Sequence, residues 1–231
     1  MTTDVLDPPV AAVLDELHRA ARRDWRHFPK MLPHFLYGKV TGRSLMQTLT
    51  PTLLKGVYIP VSRQGGRLLY ALVRGTRATR VVEFGASFGI STLYLAAAVR
   101  ANGGGQVVTT EIEPSKCRAA TGNIRRAGLD DIAELREGDA LQTLRDVQSP
   151  VDLVFLDGWK DLYRPVLDLL IPRLRPGALV VADNVNLADT RPYLAHVRTS
   201  PDFVSALLPG NRMECSWYLP VTEHGIHTPP P

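Results

Sequence analysis

The chain has 231 residues, enough for one well-filled α/β domain with a modest extension, and its 45% hydrophobic and 22% charged residues are ordinary for a soluble globular protein. No apolar run approaches the roughly 18 residues that a membrane span needs, and residues 1–9 lack the basic and apolar regions of a signal peptide, so a soluble, cytoplasmic protein is expected. The net charge of +4 comes from scattered basic residues. The nearest cluster, Arg19, Arg22, Arg23 and Arg26, has no interleaved aromatics and reads as the solvated face of a helix, so neither nucleic acid nor membrane is expected as a partner.

In chain order, Val10, Val13, Leu14, Leu17 and Ala21 recur at helical spacing after Pro8 and Pro9, predicting a helix over Val10–Arg23. Residues 24–60 carry aromatics, prolines and glycines without a sustained period and read as short helices and loops over the domain. Arg63–Arg74 is a second amphipathic helix, with Leu68, Leu69, Leu72 and Val73 inward. A regular alternation follows, with strands at 80–84, 106–110, 132–136, 151–156 and 178–182. The intervening helices are placed at 91–100, 114–127, 140–147 and 162–174, with another at 191–198. Strands apolar on both faces, alternating with helices, predict a parallel sheet covered on both sides. Phe203–Leu208 and Met213–Leu219 around Pro209-Gly210-Asn211 read as a hairpin. The expected fold is a Rossmann-like, doubly wound, mostly parallel sheet with an antiparallel C-terminal strand. Residues 1–60 form an extension or lid, 61–220 the domain and 221–231 a tail. Cys117 and Cys215, far apart and without metal-ligand spacing, read as reduced packing residues.

Open parallel sheets bind ligands at the carboxyl ends of their strands. The first such junction, Glu83-Phe84-Gly85-Ala86-Ser87-Phe88-Gly89-Ile90-Ser91-Thr92, sets two glycines before a helix N-terminus, where backbone can lie against a ligand. At the second, Glu111 can accept hydrogen bonds from ribose hydroxyls, while Glu113 suits a helix N-terminus better. At the third, Glu137-Gly138-Asp139-Ala140, the Asp139 carboxylate can reach an adenine amino group or cap the next helix. A dinucleotide would fit such junctions too. The G-x-x-x-G spacing and Glu83 favour S-adenosylmethionine instead, because a carboxylate there attracts an α-ammonium and repels a pyrophosphate.

The fourth and fifth junctions, Leu156-Asp157-Gly158-Trp159-Lys160-Asp161 and Ala182-Asp183-Asn184-Val185, would bring Asp157, Asp183 and Asn184 around one point. Two carboxylates and an amide oxygen are hard ligands suited to Mg²⁺. Lys160, one of five lysines in a chain that otherwise uses arginine, lies one short turn from Asp157. Unlike arginine it can give up its proton and act as a base.

Leu156-Asp157-Gly158-Trp159-Lys160-Asp161-Leu162-Tyr163, Ala182-Asp183-Asn184-Val185 and Tyr193-Leu194-Ala195-His196-Val197-Arg198 resemble catechol O-methyltransferase and the wider group of small cation-dependent O-methyltransferases, over roughly Lys55–Leu219. The resemblance implies the class I methyltransferase fold, Mg²⁺ on Asp157, Asp183 and Asn184, and Lys160 as general base. It further implies that Glu83 binds the methionine ammonium, Ser91 its carboxylate and Glu111 the ribose. Backbone around Val61 and Ser62 would complete the methionine site, Gly85, Gly138, Asp139, Ala140 and Asp157 would line the cofactor, and Trp159 would wall the pocket.

Three departures border the acceptor. Gly158 replaces the family's histidine and is expected to open space beside the metal. The hairpin turn is shorter and lacks the family's acidic residue, and Tyr58-Ile59-Pro60 replaces a tryptophan-alanine-methionine segment. The implied acceptor is a small-molecule vicinal hydroxyl, such as a phenolic natural product or a sugar-bearing intermediate. Mg²⁺ chelation would lower a hydroxyl pKa that starts at about 10. Rival readings are a metal-independent methyltransferase, a dinucleotide-binding oxidoreductase, and a non-catalytic cofactor-binding protein. Pairing into a homodimer through the N-terminal residues is left open.

Overall fold

The computed structural model describes residues 6–24, 61–210 and 212–221. The expected short helices and loops over 25–60, including Tyr58-Ile59-Pro60, lie outside the described residues, as do Arg26 and Asn211.

The N-terminal helix α1 (Pro8–Asp24) and α2 (Arg63–Gly75) precede the sheet. There follow β1 (Arg80–Phe84), α3 (Ile90–Ala101), β2 (Gln106–Glu111), α4 (Pro114–Arg126), β3 (Ala133–Glu137), α5 (Ala140–Thr143) and β4 (Val151–Leu156). After β4 come α6 (Tyr163–Leu170), β5 (Leu174–Ala182), α7 (Arg191–Thr199), β6 (Phe203–Leu207) and β7 (Glu214–Tyr218). The sheet has seven strands in the order β3-β2-β1-β4-β5-β7-β6. The first five strands pair in parallel, and β7 runs antiparallel to both β5 and β6. This is the doubly wound sheet with a terminal hairpin that the alternation predicts. The winding reverses between β1 and β4, and the crevice at a reversal opens at the strands' carboxyl ends.

Strand periodicity divides the core in two. Val81, Val107, Leu153, Phe155, Leu179 and Val181 face α1–α4, while Val82, Val108, Val154, Leu156, Val180 and Ala182 face α5–α7. Each of the valine, leucine and phenylalanine side chains among them, taken fully out of water, contributes about 1.5–3 kcal/mol. Helix α3 is buried on nearly every side, and its Ala96-Ala97-Ala98 run keeps it thin enough to lie between the sheet, α1 and α2. Helix α1 buries Val10, Val13, Leu14 and Leu17 in the same core and leaves Arg19, Arg22 and Arg23 exposed. In α2, Leu69 and Val73 are buried, with Leu68 and Leu72 at the margin. Cys117 and Cys215 are unpaired and buried, and burial pushes both thiols up, to about 12 and about 11.

Three elements differ from expectation. The helix read over 162–174 is α6 flanked by single 3₁₀ turns, Lys160–Leu162 and Ile171–Arg173, and the one read over 140–147 is confined to Ala140–Thr143. Strand β5 starts four residues early, at Leu174 rather than Ala178. Pro176 and Gly177 disguise this start. It is secured by Arg175, whose Nε donates to Asp152 Oδ1 at 2.6 Å, across a register shift between Val151 and Leu153. Among the described residues no helix is long and apolar enough to cross a membrane.

Candidate active site

Register brings the chemistry to one edge. Phe84 lies beside Thr110 on one side and Leu156 on the other, Leu156 beside Ala182, and Glu111 beside Glu137. The ladder runs one bond past the strands, with Asp157 N donating to Phe84 O (2.9 Å) and Asp183 N to Leu156 O (3.0 Å). Gly85, Glu111, Gly138, Asp157 and Asp183 therefore stand in a row. Gly85 is required here. Its φ is +103°, and a Cβ would lie 2.6 Å from Gly158 N and 2.8 Å from Asp157 C, so the β1 and β4 junctions touch backbone to backbone.

Glu83, the last buried acid of β1, is fully enclosed. Thr92 Oγ1 and Thr109 Oγ1 donate to its Oε2 at 2.5 and 2.6 Å, and its Oε1 has no partner among the described residues. Burial raises its pKa to about 7, against the hydroxyls of Ser91, Thr109 and Thr92, which lower it. Ser91 is buried in the first turn of α3, beside this cluster. The two threonines escaped the sequence reading. Thr109 stands in β2 and Thr92 in α3, where each passes for ordinary strand or helix content.

Backbone N–H groups hold Glu111. Its Oε2 accepts from Ser87 at 2.8 Å, and its Oε1 from Ile112 and Glu113 at 2.9 and 3.0 Å. Oε1 has both lone pairs engaged, whereas Oε2 keeps one free, so a hydroxyl can still be bound there. Glu113 caps α4 and Asp139 caps α5, its Oδ1 accepting from Leu141 N at 2.9 Å; this leaves Asp139 Oδ2 for a ligand, beside Gly138 and buried Ala140. Val61 and Ser62 lead into α2. There Val61 is buried and Ser62 Oγ accepts Gly65 N–H at 3.0 Å.

At the β4 and β5 ends, Lys160 is buried and its Nζ donates to Asp157 Oδ1 (2.9 Å) and Tyr163 Oη (2.7 Å); Tyr163 Oη in turn donates to Asp183 O at 2.9 Å. Tyr163 thus ties the two acidic junctions together, a role that sequence did not reveal. It packs edge-on against Phe84 and Tyr193. Burial raises the Asp157 pKa to about 6; Lys160 opposes the rise and Asp183 adds to it. Asn184 has φ +57°, and its N–H is taken by Asp183 Oδ1 at 2.8 Å. From the hairpin, Arg212 Nη2 stands 3.7 Å from Asp183 Oδ2. Trp159 is half-buried against the α6 side of the core. Among the described residues no three His, Cys, Asp or Glu side chains gather, so the acids here are two.

One expectation is corrected. Gly158 leaves no gap, because a Cβ there would fall 2.6 Å from Cε1 and Cε2 of the Phe84 ring, which fills the space.

Residues 82–185 match the model of a methyltransferase domain family. The chain is 33% identical to pig (Sus scrofa) catechol O-methyltransferase over 60% of its own length and 77% of that protein's. It is 40% identical to a catechol O-methyltransferase of Mycobacterium tuberculosis over 55% of its length and 57% of that protein's. Among solved structures it resembles the Bacillus cereus O-methyltransferase in complex with SAH (TM-score 0.62, 26% identity), covering 69% of this chain and 82% of that one. The chain spans somewhat more than half the length of several of the curated relatives that it matches. With the reversed sheet, the acidic strand ends and these likenesses together, the chain belongs to the catechol O-methyltransferase-like family of class I O-methyltransferases.

Proposed function

We propose that this protein transfers a methyl group from S-adenosylmethionine to one hydroxyl of a vicinal pair on a small molecule, with Lys160 as base and a divalent cation such as Mg²⁺ at Asp157, Asp183 and Asn184. The observation that carries this reading is the buried Lys160 Nζ, fixed by Asp157 and Tyr163 at the paired strand ends. Residues 61–220 serve as the methyltransferase domain, residues 1–60 as its extension and 221–231 as a tail.

The residues present fit both groups. Glu83 Oε1, buried and without a partner among the described residues, lacks the donor that an α-ammonium would bring. Asp157 and Asp183 repel one another in a buried setting, which a cation would relieve, and the donors are oxygen-only. When bound, adenosylmethionine supplies the electrophilic methyl and the cation lowers the acceptor hydroxyl's pKa. The chain's own residues do the rest. Glu83 and Ser91 bind the methionine end, Glu111 the ribose, and Gly138, Asp139 and Ala140 the adenine side. Gly85 lets backbone approach, Val61 and Ser62 close the methionine end, and Trp159 excludes water. Lys160 Nζ takes the hydroxyl proton, and Tyr163 keeps that nitrogen in position.

The test is methyl transfer from labelled adenosylmethionine to a panel of catechols and larger vicinal diols, with Mg²⁺ and with EDTA. Turnover lost in EDTA and restored by Mg²⁺ is expected. Turnover indifferent to EDTA would remove the metal role from Asp157, Asp183 and Asn184 while keeping the transferase. Lys160→Ala should lower kcat by about 10²-fold or more and leave cofactor affinity nearly intact. Lost affinity would reassign Lys160 to binding.

A further inference from the structure

The hairpin that replaces the family's acidic loop brings a cation to the acceptor end of the site. Arg212 lies two residues before β7, its carbonyl accepting Val185 N–H at 2.9 Å, so its backbone is fixed to the loop that follows Asp183-Asn184. The side chain is 62% exposed, and its Nη2 stands 3.7 Å from Asp183 Oδ2, too far for a hydrogen bond. Compare the arginines that serve the fold. Arg198 forks onto buried Glu214 at 2.7 and 2.8 Å, and Arg175 reaches Asp152 at 2.6 Å. Arg212 is aimed at the site without being committed to it.

Charge at this end follows simply. Asp157 and Asp183 carry two negative charges and Arg212 one positive; Lys160 becomes positive when it takes the acceptor's proton, and the four then sum to zero. On the reading above, a divalent cation joins this set, and an acceptor diol that gives up one proton cancels one of its two charges. One positive charge is left, and among the described residues Arg212 is an exposed group that can meet its counter-ion. A guanidinium pairs with a carboxylate through two parallel N–H···O bonds, a match that neutral or cationic acceptors cannot make.

We infer that Arg212 is a specificity-determining residue that selects vicinal diols bearing a carboxylate, so that the natural acceptor is an acidic, catechol-like molecule. The inference rests on the proposed diol acceptor, but it concerns binding and can be tested apart from the reaction.

The experiment measures binding of 3,4-dihydroxybenzoate and of its neutral amide, 3,4-dihydroxybenzamide, to the full chain with S-adenosylhomocysteine and Mg²⁺. Wild type, Arg212→Gln, Arg212→Glu and Arg212→Lys are compared by calorimetry, with methyl transfer to both compounds measured alongside. The acid should bind wild type at least about tenfold tighter than the amide. Arg212→Gln should erase that preference, Arg212→Glu reverse it, and Arg212→Lys keep part of it. No preference for the acid, whether both compounds bind or neither does, overturns the inference, as does a preference that survives Arg212→Gln. A preference lost in Arg212→Gln, with no methyl transferred to either compound, would sink the diol reaction and leave the role of Arg212 standing. Equal transfer to both would do the reverse.

Discussion

Strand β4 carries an aspartate at each end, and the two live in opposite worlds. Asp152, at the start, accepts from Thr79 N and Arg80 N (both 2.8 Å), Thr79 Oγ1 (3.1 Å) and Arg175 Nε (2.6 Å). Burial pushes its pKa up, but the backbone donors of Arg80 and Thr79, with Arg175, outweigh burial and hold the carboxyl below its ordinary range. Asp157, just past the other end, is half-buried, meets one lysine and faces a second carboxylate, and desolvation raises its pKa to about 6. A saturated carboxylate is a fastener. An undersupplied one keeps room for something not in the chain. The difference separates the lower rim of this sheet, which builds the fold, from the upper rim, which carries the candidate site.

That contrast breaks most sharply at Asp183. Asp183→Ala should lower kcat/KM for methyl transfer about 10³-fold, roughly 4 kcal/mol, while circular dichroism shows a folded protein. Mutation at the other rim should do the opposite. Asp152→Ala strands Arg175 and three donors and should cost about 3 kcal/mol of stability, read as a lower urea midpoint, with the folded fraction still active. Glu83 sharpens the contrast through pH. The folded state holds it near 7 and an unfolded chain near its ordinary 4.5, so folding takes up a proton between those values. The stability this confers is complete below about 4.5 and is lost as pH rises through about 7. From pH 8 to pH 5, the protein without cofactor should therefore gain about 2 kcal/mol relative to Glu83→Gln in urea melts. Parallel pH curves for the two would show that Glu83 does not titrate there. The smallest effect is expected at Tyr163. Tyr163→Phe removes one of the two partners of Lys160 and should lower kcat about tenfold with cofactor affinity unchanged. Equal loss of both would make Tyr163 a packing residue.

The upper rim was legible from sequence where strands consecutive in the chain are also neighbours in the sheet. Val151–Leu156 and the strand after it pair in parallel, so Asp157 stands beside Asp183. Contacts that join distant positions without a period were not legible. Thr92 and Thr109 reach Glu83 across 9 and 26 residues, and Tyr163 reaches the Asp183 carbonyl across 20. Each residue alone passes for ordinary helix or strand content. The early start of β5 was hidden for a related reason, since Arg175-Pro176-Gly177 is extended by its tie to Asp152 and not by propensity. Asp139 could be read either way from sequence, and its Oδ1 is taken by the Leu141 N–H.

The Phe84 ring and the bare Cα of Gly158 share one volume. Neither position can therefore change alone. A side chain at 158 must evict the ring, and a smaller residue at 84 opens a void next to Tyr163 and Lys160. Any attempt to reshape the acceptor pocket at this point has to vary the two residues together, as a single exchangeable plug. Libraries that randomise 158 by itself would recover mostly glycine, whatever acceptor they were selected on.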